Sequence, residues 1–232
     1  DPRPGISYFA YGTPKWGVKV AAGDIDGDGT DEIITGPGPG SVYGPHVRGW
    51  KIDAGIPSAM PQVSFMAYGT FNSGANVTCG DIDGDGIDEI VTGAGPGPVF
   101  GAHVRGWDVD GGTAAAIPEV SFFAYGTPKW GVNVACGDID ADGMAEIITA
   151  PGPSASFPIH VRAFNYDGVE LTPIDSVNLM LFDFMYGAQV GSADVTGDGA
   201  DDLMLAPGPD PTAVAGILVA TLNHRGWIEL VS

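Results

Sequence analysis

Residues 24–32 read DIDGDGTDE, and the same acidic phrase returns as DIDGDGIDE at 81–89, DIDADGMAE at 138–146 and DVTGDGADD at 194–202. Successive starts lie 57, 57 and 56 residues apart, so one supersecondary unit is written four times. A unit of this kind cannot bury its own apolar face and must stack on its neighbours. The period therefore predicts a single domain over 1–232 with repeats at about 12–68, 69–125, 126–184 and 185–232, preceded by an N-terminal strand at 6–11.

Working outward from the first loop, VKVAAG at Val18–Gly23 precedes it and EIIT at Glu32–Thr35 follows it. A Gly/Pro segment leads to HVRGWKI at His46–Ile52, and after the turn at Asp53–Gly55 comes QVSFMAY at Gln62–Tyr68. Four short β-rich runs bounded by Gly, Pro and Asp read as four antiparallel strands per repeat. No run sustains the apolar period of a helix. Four-stranded sheets repeated radially make a β-propeller. The expected fold is all-β, a four-bladed β-propeller of four-stranded blades.

The N-terminal ISYFAY at Ile6–Tyr11 matches VSFMAY at Val63–Tyr68 and VSFFAY at Val120–Tyr125, while the last repeat ends near Trp227–Val231 without a fourth strand of its own. The N-terminal strand is thus expected to complete the last blade and remove free edges. A longer superhelix, or a partial ring that pairs with a second copy, is the alternative.

Calcium takes about six to eight oxygen ligands in a flexible arrangement. The loop spacing offers carboxylates at positions one, three, five and nine and a backbone carbonyl at seven. In loop one these are Asp24, Asp26, Asp28, Glu32 and the carbonyl of Thr30. Loop two offers Asp81, Asp83, Asp85, Glu89 and the carbonyl of Ile87; loop three offers Asp138, Asp140, Asp142, Glu146 and the carbonyl of Met144. Loop four departs, because Thr196 stands at the third position beside Asp194, Asp198, Asp202 and the carbonyl of Ala200. About four calcium sites are expected, the fourth weakest because it has one charge fewer. Magnesium fits poorly, since it demands strict octahedral geometry and keeps its waters. Tight turns alone would explain one such loop; four in register favour a metal. The ions would be structural, so chelation should lower the melting temperature.

The charge agrees. Formal net charge is −20 with nine Lys+Arg, which excludes nucleic acid as a partner. Eighteen of the 29 acids fall inside the four loops, a density that disfavours compaction unless cations neutralise it. No apolar run is long enough to insert in a membrane. No basic segment leading into an apolar one is present, so any signal peptide is expected to have been removed or never present. Cys79 and Cys136 occupy one repeat position, filled by Ala22 and Ser192 elsewhere, and read as a small-residue packing site; a disulfide between them stays open.

The repeat resembles the FG-GAP, or VCBS, repeat of integrin α-subunit propellers and secreted bacterial proteins. The FG position is held by Trp16-Gly17, Trp130-Gly131 and Tyr186-Gly187, while repeat two splits Phe71 from Gly74 with Asn72-Ser73. The GAP position is Gly36-Pro37, Gly93-Ala94, Ala150-Pro151 and Ala206-Pro207. The resemblance spans essentially the whole chain and implies a calcium-binding propeller in an extracellular, cell-surface or periplasmic setting. It is nearly silent on biological role.

In this strand order the calcium loops share one face, and the aromatic, Pro-rich connections share the other. Tyr11, Trp16, Tyr43, Phe100, Trp130 and Tyr186 are the candidate ligand-binding residues there, for a protein or a carbohydrate. Blade-against-blade packing is the plainer role for them. His46, His103 and His160 recur in register, each two residues before Arg48, Arg105 or Arg162. A three-histidine metal site is one reading; a hydrogen bond from each His to its own Gly/Pro loop, with each Arg in a repeated blade contact, is the plainer one. No nucleophile elbow, HExxH or P-loop occurs, so no enzyme is expected. The expected function is a calcium-stabilised extracellular binding or scaffold module. Alternatives are a structural subunit of an extracellular assembly, monomeric or self-assembling, and a secreted hydrolase or lyase.

Overall fold

The computed structural model describes residues 6–12, 16–40, 42–69, 72–98, 101–109, 112–126, 129–209, 218–222 and 228–231, with side chains omitted at 182–184 and beyond 209. They contain strands and no helix. The first repeat forms β1 (Val18–Gly23), β2 (Glu32–Pro37), β3 (His46–Asp53) and β4 (Ile56–Met66). The second forms β5 (Ala75–Gly80), β6 (Glu89–Ala94), β7 (His103–Asp108) and β8 (Ala115–Phe123). The third forms β9 (Val132–Gly137), β10 (Glu146–Pro151), β11 (Pro158–Tyr166) and β12 (Leu171–Met185). The fourth forms β13 (Ala188–Ala193), β14 (Asp202–Pro207), β15 (Leu218–Leu222) and β16 (Ile228–Val231). Each repeat makes one antiparallel four-stranded sheet in simple sequence order.

The second strands carry the core. β6 and β10 are buried at every residue, because each of these sheets is covered on both faces by its neighbours. Strand β1 packs on β5, β5 on β9 and β9 on β13, and one residue pair from each of these four strands lines a small common cavity.

Three junctions between successive sheets are built alike. The N–H groups of Asp88, Ala145 and Asp201 donate to the carbonyls of Asp24, Asp81 and Asp138, at 3.0, 2.7 and 2.7 Å. A β-carbon on Gly23, Gly80 or Gly137 would strike Cys79, Cys136 or Ser192 of the following repeat. The two cysteines therefore serve as small packing residues, and both are free thiols. Gly74, Gly131 and Gly187 lie in the left-handed region, and a β-carbon on each would fall 2.1–2.2 Å from a carbonyl oxygen of the preceding repeat. Gly17, their counterpart in repeat one, would meet nothing within 4 Å. Val18 and Val20 of β1 are 46% and 59% exposed, whereas Ala75 and Val77 of β5 are buried. Among the described residues, no contact of this kind joins repeat four to repeat one.

This changes the expected role of the N-terminal strand. The last sheet has its own fourth strand, β16, paired to β15, so Ile6–Tyr11 does not complete it. That segment is not a strand; it lies on the first sheet instead. The Tyr8 ring sits 4.7 Å from that of Trp50, as Phe65 sits 4.2 Å from Trp107. The Tyr11 hydroxyl donates to the carbonyls of Thr35 and His46, as Tyr68 does to Thr92 and His103, and Tyr125 to Thr149 and His160. Sequence matching identified the segment correctly as equivalent to the end of a fourth strand. Its contacts are with the sheet that follows it.

Candidate metal centres

Each acidic loop spans the turn between the first and second strands of its sheet. The pairs Gly23↔Glu32, Gly80↔Glu89, Gly137↔Glu146 and Ala193↔Asp202 close the four loops. The first aspartate folds the loop around itself. Asp24 accepts the N–H groups of Asp28 at 3.1 Å and Gly29 at 2.8 Å. Asp81, Asp138 and Asp194 do the same for the equivalent groups. The fifth-position aspartates Asp28, Asp85, Asp142 and Asp198 accept the N–H of Thr30, Ile87, Met144 and Ala200. Between them Gly29, Gly86, Gly143 and Gly199 adopt φ of 83°, 91°, 94° and 96°, a turn that strains any residue with a β-carbon.

The ninth-position acid comes from the buried start of the second strand. Glu89 and Glu146 each accept, through Oε2, an N–H from position two of their own loop, Ile82 or Ile139, at 2.9 Å. The strands thereby bring together Asp24, Asp26 and Glu32 in loop one, Asp81, Asp83 and Asp85 in loop two, and Asp138, Asp140 and Glu146 in loop three, with ligand atoms within 4.8 Å of one another. Among the described residues, loop four assembles no such triad. There Asp202 accepts the N–H groups of Val195 and Thr196, both at 2.9 Å.

Three carboxylate oxygens in these centres, Asp26 Oδ1, Glu32 Oε2 and Glu146 Oε1, are buried without a hydrogen-bond partner. Glu32 and Glu146 are only 2% and 0% exposed, so bulk solvent does not reach them. An unpartnered buried carboxylate is costly, and a cation removes the cost. Burial, followed by the neighbouring aspartates, pushes Glu89 and Glu146 up to about 8. Glu32 is pushed up to about 7 by burial and Asp26, with Lys51 opposing. These oxygen-only donor sets fit a hard divalent cation bound through carboxylates.

Lys51 is a participant that motif reading missed. Its Nζ lies 2.6 Å from Asp26 Oδ2 and 2.7 Å from Asp28 Oδ2. Asp108 and Asn165 hold the same third-strand position in repeats two and three. The signal was present at the repeat spacing but lies outside the loop, where no metal motif directs the eye.

The candidate aromatic residues divide. Tyr11 commits its hydroxyl to the junction described above, and Tyr43 packs 5.5 Å from its ring. Trp16 and Trp130 are exposed with φ of 70° and 90°, and Tyr186 is half-buried at 69°. Phe100 lies outside the described residues. The histidines differ from expectation. His46, His103 and His160 each bond across to the fourth strand, at Ser64, Ser121 and Asn178, because the antiparallel register points both side chains to the same side. None of them joins the acidic groups above. The arginines make the repeated contact foreseen: Arg48, Arg105 and Arg162 donate to the carbonyls of Ala10, Ala67 and Ala124 and lie over Trp50, Trp107 and Phe164.

A pocket of about 500 Å³ opens at the strand ends opposite loop three, lined by Tyr125, Pro151, Phe157, Pro158, His160 and Met180 among others. Strand β10 connects the two, starting at Glu146 beside the loop and ending at Pro151 in the pocket wall.

No family model matches the chain. It is similar to integrin alpha pat-2 of Caenorhabditis elegans, 26% identical over 258 residues, covering 98% of this chain and 21% of that protein. The integrin alpha pat-2 of Caenorhabditis briggsae is 26% identical over 232 residues, covering 87% of this chain and 18% of that protein. The chain thus spans about a fifth of the length of these relatives. Among solved structures, rhamnogalacturonan lyase YesW gives a TM-score of 0.48 at 14% identity, covering 92% of this chain and 48% of that one. The exotype rhamnogalacturonan lyase YesX gives 0.47 at 14% identity, covering 87% and 44%. Both are too distant to lend this chain a chemistry. No helix among the described residues is long and apolar enough to cross a membrane.

Proposed function

We propose that this chain is a calcium-stabilised extracellular binding module whose four sheets stand as blades of a β-propeller. The observation that carries it is Glu146, a fully buried carboxylate with one oxygen unpartnered inside a triad of carboxylates, with further carboxylate triads in loops one and two. Asp138, Asp140, Asp142 and Glu146 would hold the ion of loop three, with the carbonyl of Met144. Their counterparts would hold those of loops one and two, and loop four would bind most weakly. The ion supplies positive charge and rigid ligation to a hairpin that otherwise repels itself. Similarity to integrin alpha chains supports an extracellular or cell-surface setting. We read the chain as a binder because, among the described residues, carboxylate clusters recur in three of the four repeats, whereas a catalytic constellation needs to form only once. Calorimetric titration of the calcium-stripped chain tests the reading: saturable binding with a rising melting temperature is expected, and the absence of both would refute it.

The pocket opposite loop three is the preferred ligand surface, for a protein segment or a glycan. Its apolar walls and single His160–Arg162 polar edge suit a mixed apolar and hydrogen-bonding ligand. A glycan array and a peptide display panel, each run beside Phe157→Ala, separate the two classes.

A second reading, a structural subunit that assembles with further copies, is favoured by one observation. Val18 and Val20 expose on repeat one the face that is covered at all three internal junctions. Light scattering over a concentration series decides it: growth in mass that Val20→Lys abolishes supports assembly, and constant monomer mass rejects it.

A further inference from the structure

The residue following Trp50, Trp107 and Phe164 in the third strand differs in kind between repeats: Lys51, Asp108 and Asn165. Register pairs Ile33 with Trp50, Ile90 with Trp107 and Ile147 with Phe164. The next rung therefore sets these three residues against Glu32, Glu89 and Glu146, the ninth-position acids. In repeat one, Lys51 Nζ reaches Asp26 at 2.6 Å, Asp28 at 2.7 Å and Glu32 Oε1 at 3.7 Å. One ammonium is shared by three of the four carboxylates. In repeat two a carboxylate takes the same place. In repeat three the carbonyl oxygen of Asn165 is buried there without a partner.

We infer that this third-strand residue sets the cation occupancy of its loop: Lys51 is a tethered counter-ion that competes with calcium at loop one, whereas Asp108 and Asn165 extend the oxygen sets of loops two and three. The inference rests on the calcium reading and goes beyond it by ranking the sites. The tether keeps the ammonium at high effective concentration, so a divalent ion must displace it from Asp26 and Asp28. Asp26 Oδ1 and Glu32 Oε2 remain buried and unpartnered beside it, which leaves loop one able to take calcium when calcium is abundant. Affinity follows ligand charge. Loop two should fill first, loop three next and loop one after both.

The 232-residue chain is stripped with a chelator, and bound ions are counted by native mass spectrometry across a calcium titration. Lys51→Met should hold one ion more than the parent at low calcium, that site tightening at least about tenfold. Lys51→Arg should keep the parental count, and Asp108→Lys should hold one ion fewer. In chelator, Lys51→Met should melt below the parent, and calcium should erase the difference, which separates a lost counter-ion from misfolding. If loops two and three bind while Lys51→Met changes neither count nor affinity, the inference fails and the calcium reading stands. Equal behaviour of Lys51→Arg and Lys51→Met, or a parental count in Asp108→Lys, overturns it too. If no variant binds calcium and the chelator leaves every melting curve unmoved, both readings fall together.

Discussion

Repeats one and two are nearly the same text, yet the structure uses them differently. Loop one faces the ammonium of Lys51 and loop two faces a carboxylate at Asp108. Strand β1 leaves Val20 59% exposed, while β5 buries its equivalent Val77. Gly17 and Gly74 have almost the same φ, 72° and 71°, but only Gly74 touches a preceding repeat. A repeat's contribution therefore depends on its neighbour as much as on its own residues, as expected for a stacked array.

The largest effect expected is that of calcium removal, which should fall unequally on the two repeats. Three sites saturated at hundredfold excess would stabilise the fold by about 8 kcal/mol, so chelation should lower the melting temperature by roughly 15 °C or more. Asp83→Asn in loop two should cost more of that calcium-dependent gain than Asp26→Asn in loop one; the reverse order in calorimetric scans would break the comparison. Next comes the glycine pair. Gly74→Ala drives a β-carbon into the Pro37 carbonyl and should destabilise by about 3 kcal/mol or more, whereas Gly17→Ala should lose only about 1 kcal/mol of backbone strain. Urea melts of both variants would show whether the junction is real. A smaller contrast follows from the valines: Val77→Ala should lose about 2 kcal/mol, and Val20→Ala less than about 0.5 kcal/mol.

A last contrast concerns pH in the calcium-free protein. The folded state raises Glu89 and Glu146 from the ordinary 4.5 to about 8. It therefore binds more protons than the unfolded chain, and the stability this brings is full below pH 4.5 and lost as pH rises through about 8. Chelated protein should melt several degrees lower at alkaline than at mildly acidic pH, with calcium flattening the profile. Glu32, held to about 7 with Lys51 opposing the rise, should titrate earlier, and Lys51→Met should move it toward the others.

Much of the fold was legible because its punctuation is chemical. The acidic phrase, the glycines that follow it and the β-branched runs around it repeat at one spacing, and each run became a strand. The fourth strand of the last repeat was missed, since β15 and β16 carry little of the sequence shared by the others. The acidic clusters of loops one to three were readable because their carboxylates lie within nine residues of one another. Lys51 was not readable in that way: it reaches loop one only through antiparallel pairing of β3 with β2, at a separation of 19 to 25 residues from its partners. The histidines were placed in the right repeat position but given the wrong partner, because cross-strand register chose Ser64, Ser121 and Asn178.

By itself the sequence determined the number of repeats, the all-β character and the clustering of acids in the loops, since these follow from local spacing and backbone chemistry. Tertiary structure alone decided which faces are covered, where the N-terminal segment docks and which loop carries its own cation. Those outcomes depend on residues far apart in the chain meeting across strands and sheets, and near-identical repeats give no local mark of which neighbour each will meet.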